Sequence, residues 1–195
     1  MTEPTTPPAQ VPLPPTPILE TARLILRPLE ARDVPATQRI FPRWEVVRYL
    51  LDRVPWPYPA DGAATNFADC KAKRARGEQL YWAITLKGGD DELVGRIDLR
   101  PDDGDHEMRG FWLDPQLAGQ GLMTEAAEAV TRFAFEDLGW DELWVTNAAS
   151  NRASSRIKVK QGFELVEIRA GQFVFGPDDR EVWRLTRAAW LARGG

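Results

Sequence analysis

Apolar positions in this chain follow two rhythms, and the rhythms divide it into elements. Between Leu122 and Leu138 they recur at helical spacing, as Leu122, Ala126, Val130 and Phe133 beside Met123, Ala127, Ala134 and Leu138. That spacing predicts a helix with one buried face, stopped by Gly139. "LETARLILRPL" alternates around Leu24 and Leu26 and predicts a strand. Asp33 is placed to cap a helix from about Val34 to Phe41, and "WEVVRYLL" predicts a second short helix before the turn-rich "PWPYPADG". "DGAATNFADCKAKRARG" reads as a helix closing on Gly77. "QLYWAITLK" and "LVGRIDLRP" predict a hairpin, and "HEMRGFWLD" and "DELWVTNA" two further strands. "SNRASSRIKVKQG" predicts a short helix capped by Ser150 or Asn151. The segments "FELVEI", "QFVFG" and "REVWRL" then complete the sheet, ahead of a C-terminal helix over Arg187 to Arg193. The fold class is α/β (α+β): a mixed, mostly antiparallel sheet flanked by helices, with hairpins early and helix crossovers late.

Composition narrows the classes. The 195 residues suit one domain with a sizeable core, residues 18–195, after a Pro- and Thr-rich stretch from Met1 to Pro17 that reads as a disordered or extended tail. A net charge of −4 argues against a nucleic-acid partner, which would require a basic face. There is no apolar run of bilayer length, and the start lacks the layout of a secretory signal, so no membrane association is expected. A single cysteine, Cys70, allows no internal disulfide and suits a reducing cytoplasm. With His106 the lone histidine, no metal is expected.

The candidate chemistry lies in "GFWLDPQLAGQGLMTEA", residues 110–126. A strand, a turn holding Gly119 and Gly121, and a helix start follow one another directly. Unpaired N–H groups and the positive end of the helix dipole then converge on one point. The turn is no Walker loop, because no Lys-Ser/Thr follows Gly121, and it lacks the third glycine of a dinucleotide fingerprint. Taken alone, a tight turn without a ligand explains it better than an anion cradle does.

Two other stretches change that balance. "TARLILRPLEARD" (Thr21 to Asp33), the glycine turn, and "NRASSRIKVKQGF" (Asn151 to Phe163) together resemble the GCN5-related N-acetyltransferase superfamily, in particular its RimJ/RimL-like branch. The resemblance covers about Leu19 to Leu185 and implies the acyl-CoA N-acyltransferase fold, whose central sheet splays. It implies acetyl-CoA as co-substrate, direct transfer to an amine and a phosphate cradle at the turn. Backbone around Phe111, Trp112 and Leu113 would pair with pantetheine and place a donor near the thioester oxygen. Gln116 opens the cradle motif. Leu117, Ala118, Gly119, Gln120, Gly121 and Leu122, with Met123 and Thr124, would wrap the pyrophosphate. Asn151 would bond the pantetheine arm, or else act as a helix cap. Ser154, one turn on, would protonate the leaving thiolate, since this helix has no tyrosine.

The general base is the gap in the pattern. The strand position used by close relatives falls near Phe173, where "RAGQFVFG" holds no carboxylate, and Met108 stands where another glutamate is common. Asp98, Glu107 and Glu167 remain, with Glu107 one residue off and expected on the opposite side of its strand. A site without a tuned carboxylate would favour an acceptor of low pKa, such as a protein N-terminal α-amine. Alternative acceptors are a small-molecule amine (an antibiotic, polyamine or amino acid). The alternative class is a non-catalytic acyl-CoA-binding domain that lost its base. "DRVPWPYPADG", with Trp56, and Trp44 ahead of it lie where the family places its acceptor lid. The sequence leaves a homodimer open.

Overall fold

The computed structural model describes residues 12–195. One five-stranded sheet has the order β1 (Leu19–Glu20), β2 (Leu24–Pro28), β3 (Leu80–Leu86), β4 (Gly95–Leu99), β5 (Arg109–Leu113), every neighbouring pair antiparallel. A three-stranded sheet places β8 (Gly176–Thr186) between β6 (Glu142–Ala148) and β7 (Glu164–Phe173), again antiparallel throughout. Helix α4 (Leu122–Glu136) connects β5 to β6, and α5 (Arg152–Gln161) connects β6 to β7. Helices α1 (Val34–Ile40), α2 (Trp44–Val47) and α3 (Gly62–Ala75) separate β2 from β3, and α6 (Arg187–Ala192) ends the chain.

The larger sheet is buried on both faces, and β3 explains how. Leu80, Trp82 and Ile84 point into one core with the apolar face of α4, while Tyr81 and Ala83 point into a second core with Ile40, Phe41, Val47 and Cys70. The α4 residues read as its buried face from their spacing are all in that first core, with Leu138 packed at its rim.

Three local expectations change. Asp33 precedes α1 but does not cap it, because its carboxylate is taken by a stronger donor. Arg27 donates Nη1 to Asp33 Oδ2 at 2.9 Å and Nη2 to Oδ1 at 2.7 Å, while the Glu30 N–H donates to Oδ2 at 2.8 Å. A bidentate guanidinium outcompetes a backbone amide. The tail expected from Met1 to Pro17 lies mostly outside the described residues, but its last part packs on the domain. The Leu13 N–H donates to Gly77 C=O at 2.8 Å, Trp82 Nε1 donates to Pro17 C=O at 2.7 Å, and Thr16 is buried. Gly77 sits at φ +68° with residues 12–13 against it, so the helix stop and the chain start use the same glycine. Finally, the three segments expected after α5 are two long strands. A register shift between Leu165 and Glu167 interrupts the alternation of β7, and the residues between β7 and β8 form their turn.

Replacing Asp33 by Ala strands the buried Arg27 guanidinium, whose side chain is 7% exposed. We expect a loss of about 3 kcal/mol in denaturant unfolding. A loss below about 1 kcal/mol, the range of exposed pairs, would show that Asp91 alone can hold Arg27.

Candidate functional site

The two sheets meet at one point and then part. The Met108 N–H donates to Trp144 C=O at 3.0 Å, and the Trp144 N–H points at the Met108 sulfur at 3.2 Å. Beyond that, β5 and β6 belong to different sheets. A wedge therefore opens from Met108 toward Leu113 on one side and Ala148 on the other, as expected of a splayed sheet. Its β5 edge is a row of peptide groups able to pair with an extended amide-bearing chain.

The glycine turn lies at the outer end of β5. Asp114 Oδ1 accepts from the Gln116 N–H at 3.0 Å and from Arg43 Nη1 at 2.9 Å, which fixes the start of the turn. Gly119 and Gly121 both have positive φ, +79° and +78°, and Gly121 is the residue immediately before α4. Left-handed backbone at both positions turns the intervening amides outward ahead of a helix N-terminus, the geometry of an anion site. Nothing lies within 4 Å of a Cβ built on Gly119, so its outer face is open. The bend between β1 and β2 clamps the turn from behind. Glu125 accepts from the Arg23 N–H at 2.8 Å, Arg23 Nε at 2.7 Å and Thr21 Oγ1 at 2.5 Å, and Arg23 Nη1 donates to Gln120 C=O at 3.0 Å. Arg23 thus adds a half-exposed cation beside the open amides, which the sequence pattern did not single out.

At its inner end the wedge opens into a cavity of about 750 Å3. Glu107, Phe111, Trp112, Asn151 and Ser154 all reach its wall, and so do Asp98 and the segment from Tyr49 to Gly62. The cradle residues from Gln116 to Thr124, and Leu113, do not line it. Leu122 and Met123 send their side chains into the core, so only their backbone can serve a phosphate. Trp44 and Trp56 pack against each other with tilted rings, centroids 5.3 Å apart, and stay outside the cavity, although neighbouring residues of their segment form one wall.

Asn151 takes the helix-cap role and also faces the cavity. Its Oδ1 caps α5 by accepting from the Ser154 N–H at 3.2 Å, while Ser150 bonds Asp178 instead. The residue still faces the cavity, and its NH2 has no partner among the described residues. Ser154 is 6% exposed, and its Oγ accepts from Lys158 Nζ at 2.8 Å. Lys158 also lines the cavity, and the sequence reading passed over it. The signal was available: 151, 154 and 158 share one helical face.

Two candidate bases change standing. Glu107 reaches the cavity, but its oxygens are occupied. Oε2 accepts from Arg53 and from Arg100 Nη2 at 2.8 Å, and Oε1 from Arg180 Nη2 at 2.7 Å. Three guanidiniums take three of its acceptor sites and offset its charge, which makes it a poor base and a tie where both sheets and the wall loop meet. Glu167 lies exposed on β7, away from the cavity. Asp98 stands differently. Gln79 Nε2 donates to its Oδ1 at 2.8 Å, and Arg100 Nη1 stays 4.0 Å away. Its Oδ2 lies over Gly110, where a Cβ would come within 2.9 Å, so the glycine makes room for the carboxylate. Burial pushes the Asp98 carboxyl above the usual aspartate range, against the opposing pull of Arg96 and Arg100. A buried carboxylate whose pKa is raised by desolvation is a candidate proton acceptor, and Asp98 is the carboxylate of this cavity that fits the base left unassigned by the sequence.

That shift has a stability signature. The folded state keeps a proton on Asp98 where the unfolded chain has lost it, so this contribution declines as pH rises from about 4 through the raised folded value. Asp98→Asn removes the decline, and the stability of the variant relative to wild type should climb over that window and then level off. A pH-independent difference in denaturant melts from pH 4 to 8 would refute the assignment.

The comparisons agree with this geometry. Residues 23–164 match the family described as the acetyltransferase (GNAT) domain. The uncharacterized N-acetyltransferase YoaA of Bacillus subtilis is 30% identical over 151 residues, 76% of this chain and 83% of that protein. YnaD of the same organism is 25% identical over 148 residues, covering 74% and 81%. Among solved structures, RimL, a ribosomal L7/L12 alpha-N-protein acetyltransferase in complex with coenzyme A, has a TM-score of 0.74 at 18% identity, covering 89% of this chain and 99% of that one. Mycobacterium smegmatis RimJ in complex with CoA-disulfide has a TM-score of 0.72 at 18% identity, covering 88% and 89%. These two show the fold. With the glycine turn and helix α5 inside the matched residues, the chain belongs to the GNAT family of acetyltransferases.

Proposed function

We propose that this acetyltransferase moves an acetyl group from acetyl-CoA to a primary α-amine, most simply the N-terminus of a protein or peptide. The observation that carries the reading is Asp98, a buried carboxylate on the same cavity as Phe111, Asn151 and Ser154. An acceptor arriving as ammonium must lose a proton before it can attack, and Asp98, directly or through one water, is the group available to take it. The open amides of the glycine turn would hold the pyrophosphate, the β5 edge the pantetheine, and Ser154 would face the sulfur.

The cavity wall favours an α-amine over a polycation. Five cationic side chains (Arg53, Lys73, Arg96, Arg100, Arg109) line it beside the buried Lys158 amine, against four carboxylates (Asp61, Asp69, Asp98, Glu107), and Glu107 is already neutralised by arginine. A polyamine would meet net repulsion there. An α-amine has an unperturbed pKa near 8, against about 10.4 for a lysine side chain. It therefore presents about a hundredfold more free amine at neutral pH. The RimL structure, titled an alpha-N-protein acetyltransferase, has the same fold and is consistent with this acceptor class.

Release of CoA thiol should be measured with a panel of peptides, lysine side-chain analogues and small amines. We expect kcat/KM to be highest for free peptide N-termini. Faster turnover of lysine side chains or polyamines would defeat the acceptor assignment, and tight acetyl-CoA binding with no turnover would favour a binding domain. Asp98→Asn should lower kcat/KM about a hundredfold and leave acetyl-CoA affinity nearly unchanged.

The cradle is tested separately. Gly121→Val forces a β-branched residue into φ +78° and sets its side chain beside Arg23, whose Nη2 lies 3.6 Å from the Cβ position. Calorimetric affinity for CoA should fall about tenfold or more, because the strained turn loses its outward amides. Wild-type affinity would refute the cradle.

A further inference from the structure

Lys158 is a polar group that the roles assigned so far do not explain. It is 1% exposed, among the most buried large side chains of the protein, and no carboxylate forms an ion pair with it among the described residues. Its one hydrogen bond goes to Ser154 Oγ at 2.8 Å, and its Nζ lies 5.9 Å from the centroid of the Phe111 ring. An ammonium buried this way costs several kcal/mol, so such a group tends to shed its proton. Its surroundings reinforce that tendency. From β5, Arg109 faces it as a like charge. Glu181 on β8 is the nearby acid, but its Oε2 is engaged by Ser155 Oγ at 2.7 Å, Asn147 Nδ2 at 3.0 Å and Trp183 Nε1 at 3.2 Å. Burial, with the repulsion from Arg109, holds the Lys158 amine well below the usual lysine range, and Glu181 offsets this only in part.

We propose that Lys158 and Ser154 form a proton relay that carries the hydrogen lost by the attacking amine to the departing CoA sulfur. The inference rests on the acetyl-transfer reading of the same cavity. In that reaction the acceptor nitrogen forms a bond to the thioester carbonyl carbon, and the carbon–sulfur bond breaks with its electron pair left on sulfur. Asp98 has taken the proton that made the acceptor an ammonium. The nitrogen must still give up a second proton, and the sulfur must gain one. Neutral Lys158 accepts the proton from nitrogen. Ser154 passes its hydroxyl proton to sulfur and is refilled from Lys158 along the 2.8 Å contact. Lys158 and Ser154 end as they began, and the proton left on Asp98 passes to solvent to complete the cycle. Because Lys158 donates into the oxygen of Ser154, the serine hydrogen is free to point at the sulfur.

The test is Lys158→Met, with Lys158→Leu as a second variant, read by CoA release, calorimetric CoA affinity and thermal unfolding without ligand. We expect kcat to fall about tenfold or more with acetyl-CoA affinity within about threefold of wild type. The wild-type to variant ratio of kcat/KM, in which ionisation of the acceptor and of Asp98 cancels, should rise with pH as Lys158 loses its proton and then level off. Removing an unpaired buried amine should leave the fold as stable or stabilise it. The folded state lacks a proton that the unfolded chain binds up to about pH 10.4, so wild-type stability climbs with pH from the lowered Lys158 value to that point. The variants should lack this climb. Unchanged kcat would overturn the relay while leaving acetyl transfer intact. A pH-independent ratio accompanied by lost stability or CoA affinity, or failure of both variants to fold, would assign Lys158 a structural role instead. No CoA release by the wild type with any amine would remove the transfer reading and the relay with it.

Discussion

The site exists because strand pairing stops at Met108 and Trp144. One backbone hydrogen bond joins the two sheets there, and every later residue of β5 and β6 diverges from the other strand. Buried or half-buried peptide groups without partners are costly, and an unpaired strand edge invites whatever can complete it. In the proposed reading the pantetheine arm completes this edge. The Met108 side chain helps hold the junction, since it is buried in the main core while its sulfur sits against the Trp144 N–H. The cradle at one end of the wedge and the cavity at the other are both placed by the angle set at that junction.

Around the closed end the protein manages several buried charges in different ways. Glu107 receives arginines from the wall loop, from the residue after β4 and from β8, so one carboxylate ties together the parts that form the cavity. Arg109, fully enclosed, is pushed down to about 10 by burial and has Thr131 and Gln161 as its side-chain partners. Asp98 and Lys158 lack full ionic compensation, and both face the cavity. Incomplete pairing costs stability, and its occurrence at two groups on the same cavity is what motivates the proton-transfer roles proposed for them.

Periodic elements were legible in the sequence, and sites of competition were not. The α4 face and the glycine turn follow from spacing and backbone geometry that few other arrangements satisfy. Asp33 had the right type and place for a cap, but Arg27, six residues earlier, won its carboxylate across a turn. Strand parity correctly put Met108 and Glu107 on opposite sides, Met108 in the core and Glu107 on the cavity. It carried no information about the three arginines that reach Glu107 from other elements. Asp98 was nameable as a carboxylate, but its burial depends on Gly110 across the sheet and on Gln79 one strand away. Lys158 was hidden by its type, because a lysine on a short amphipathic helix ordinarily faces water.

The clamp on the glycine turn ties the donor site to the start of the chain. Arg23 and Thr21 reach Glu125 and Gln120 across sequence separations of 97 to 104 residues. Local sequence can bend residues 114–121 into a turn, but those distant contacts are what fix the turn against α4. Loop closure of that length comes late in folding, once the intervening strands have assembled. In the proposed reading, affinity for CoA is acquired as β1 and β2 dock, and a folding intermediate with those strands detached would be blind to the nucleotide.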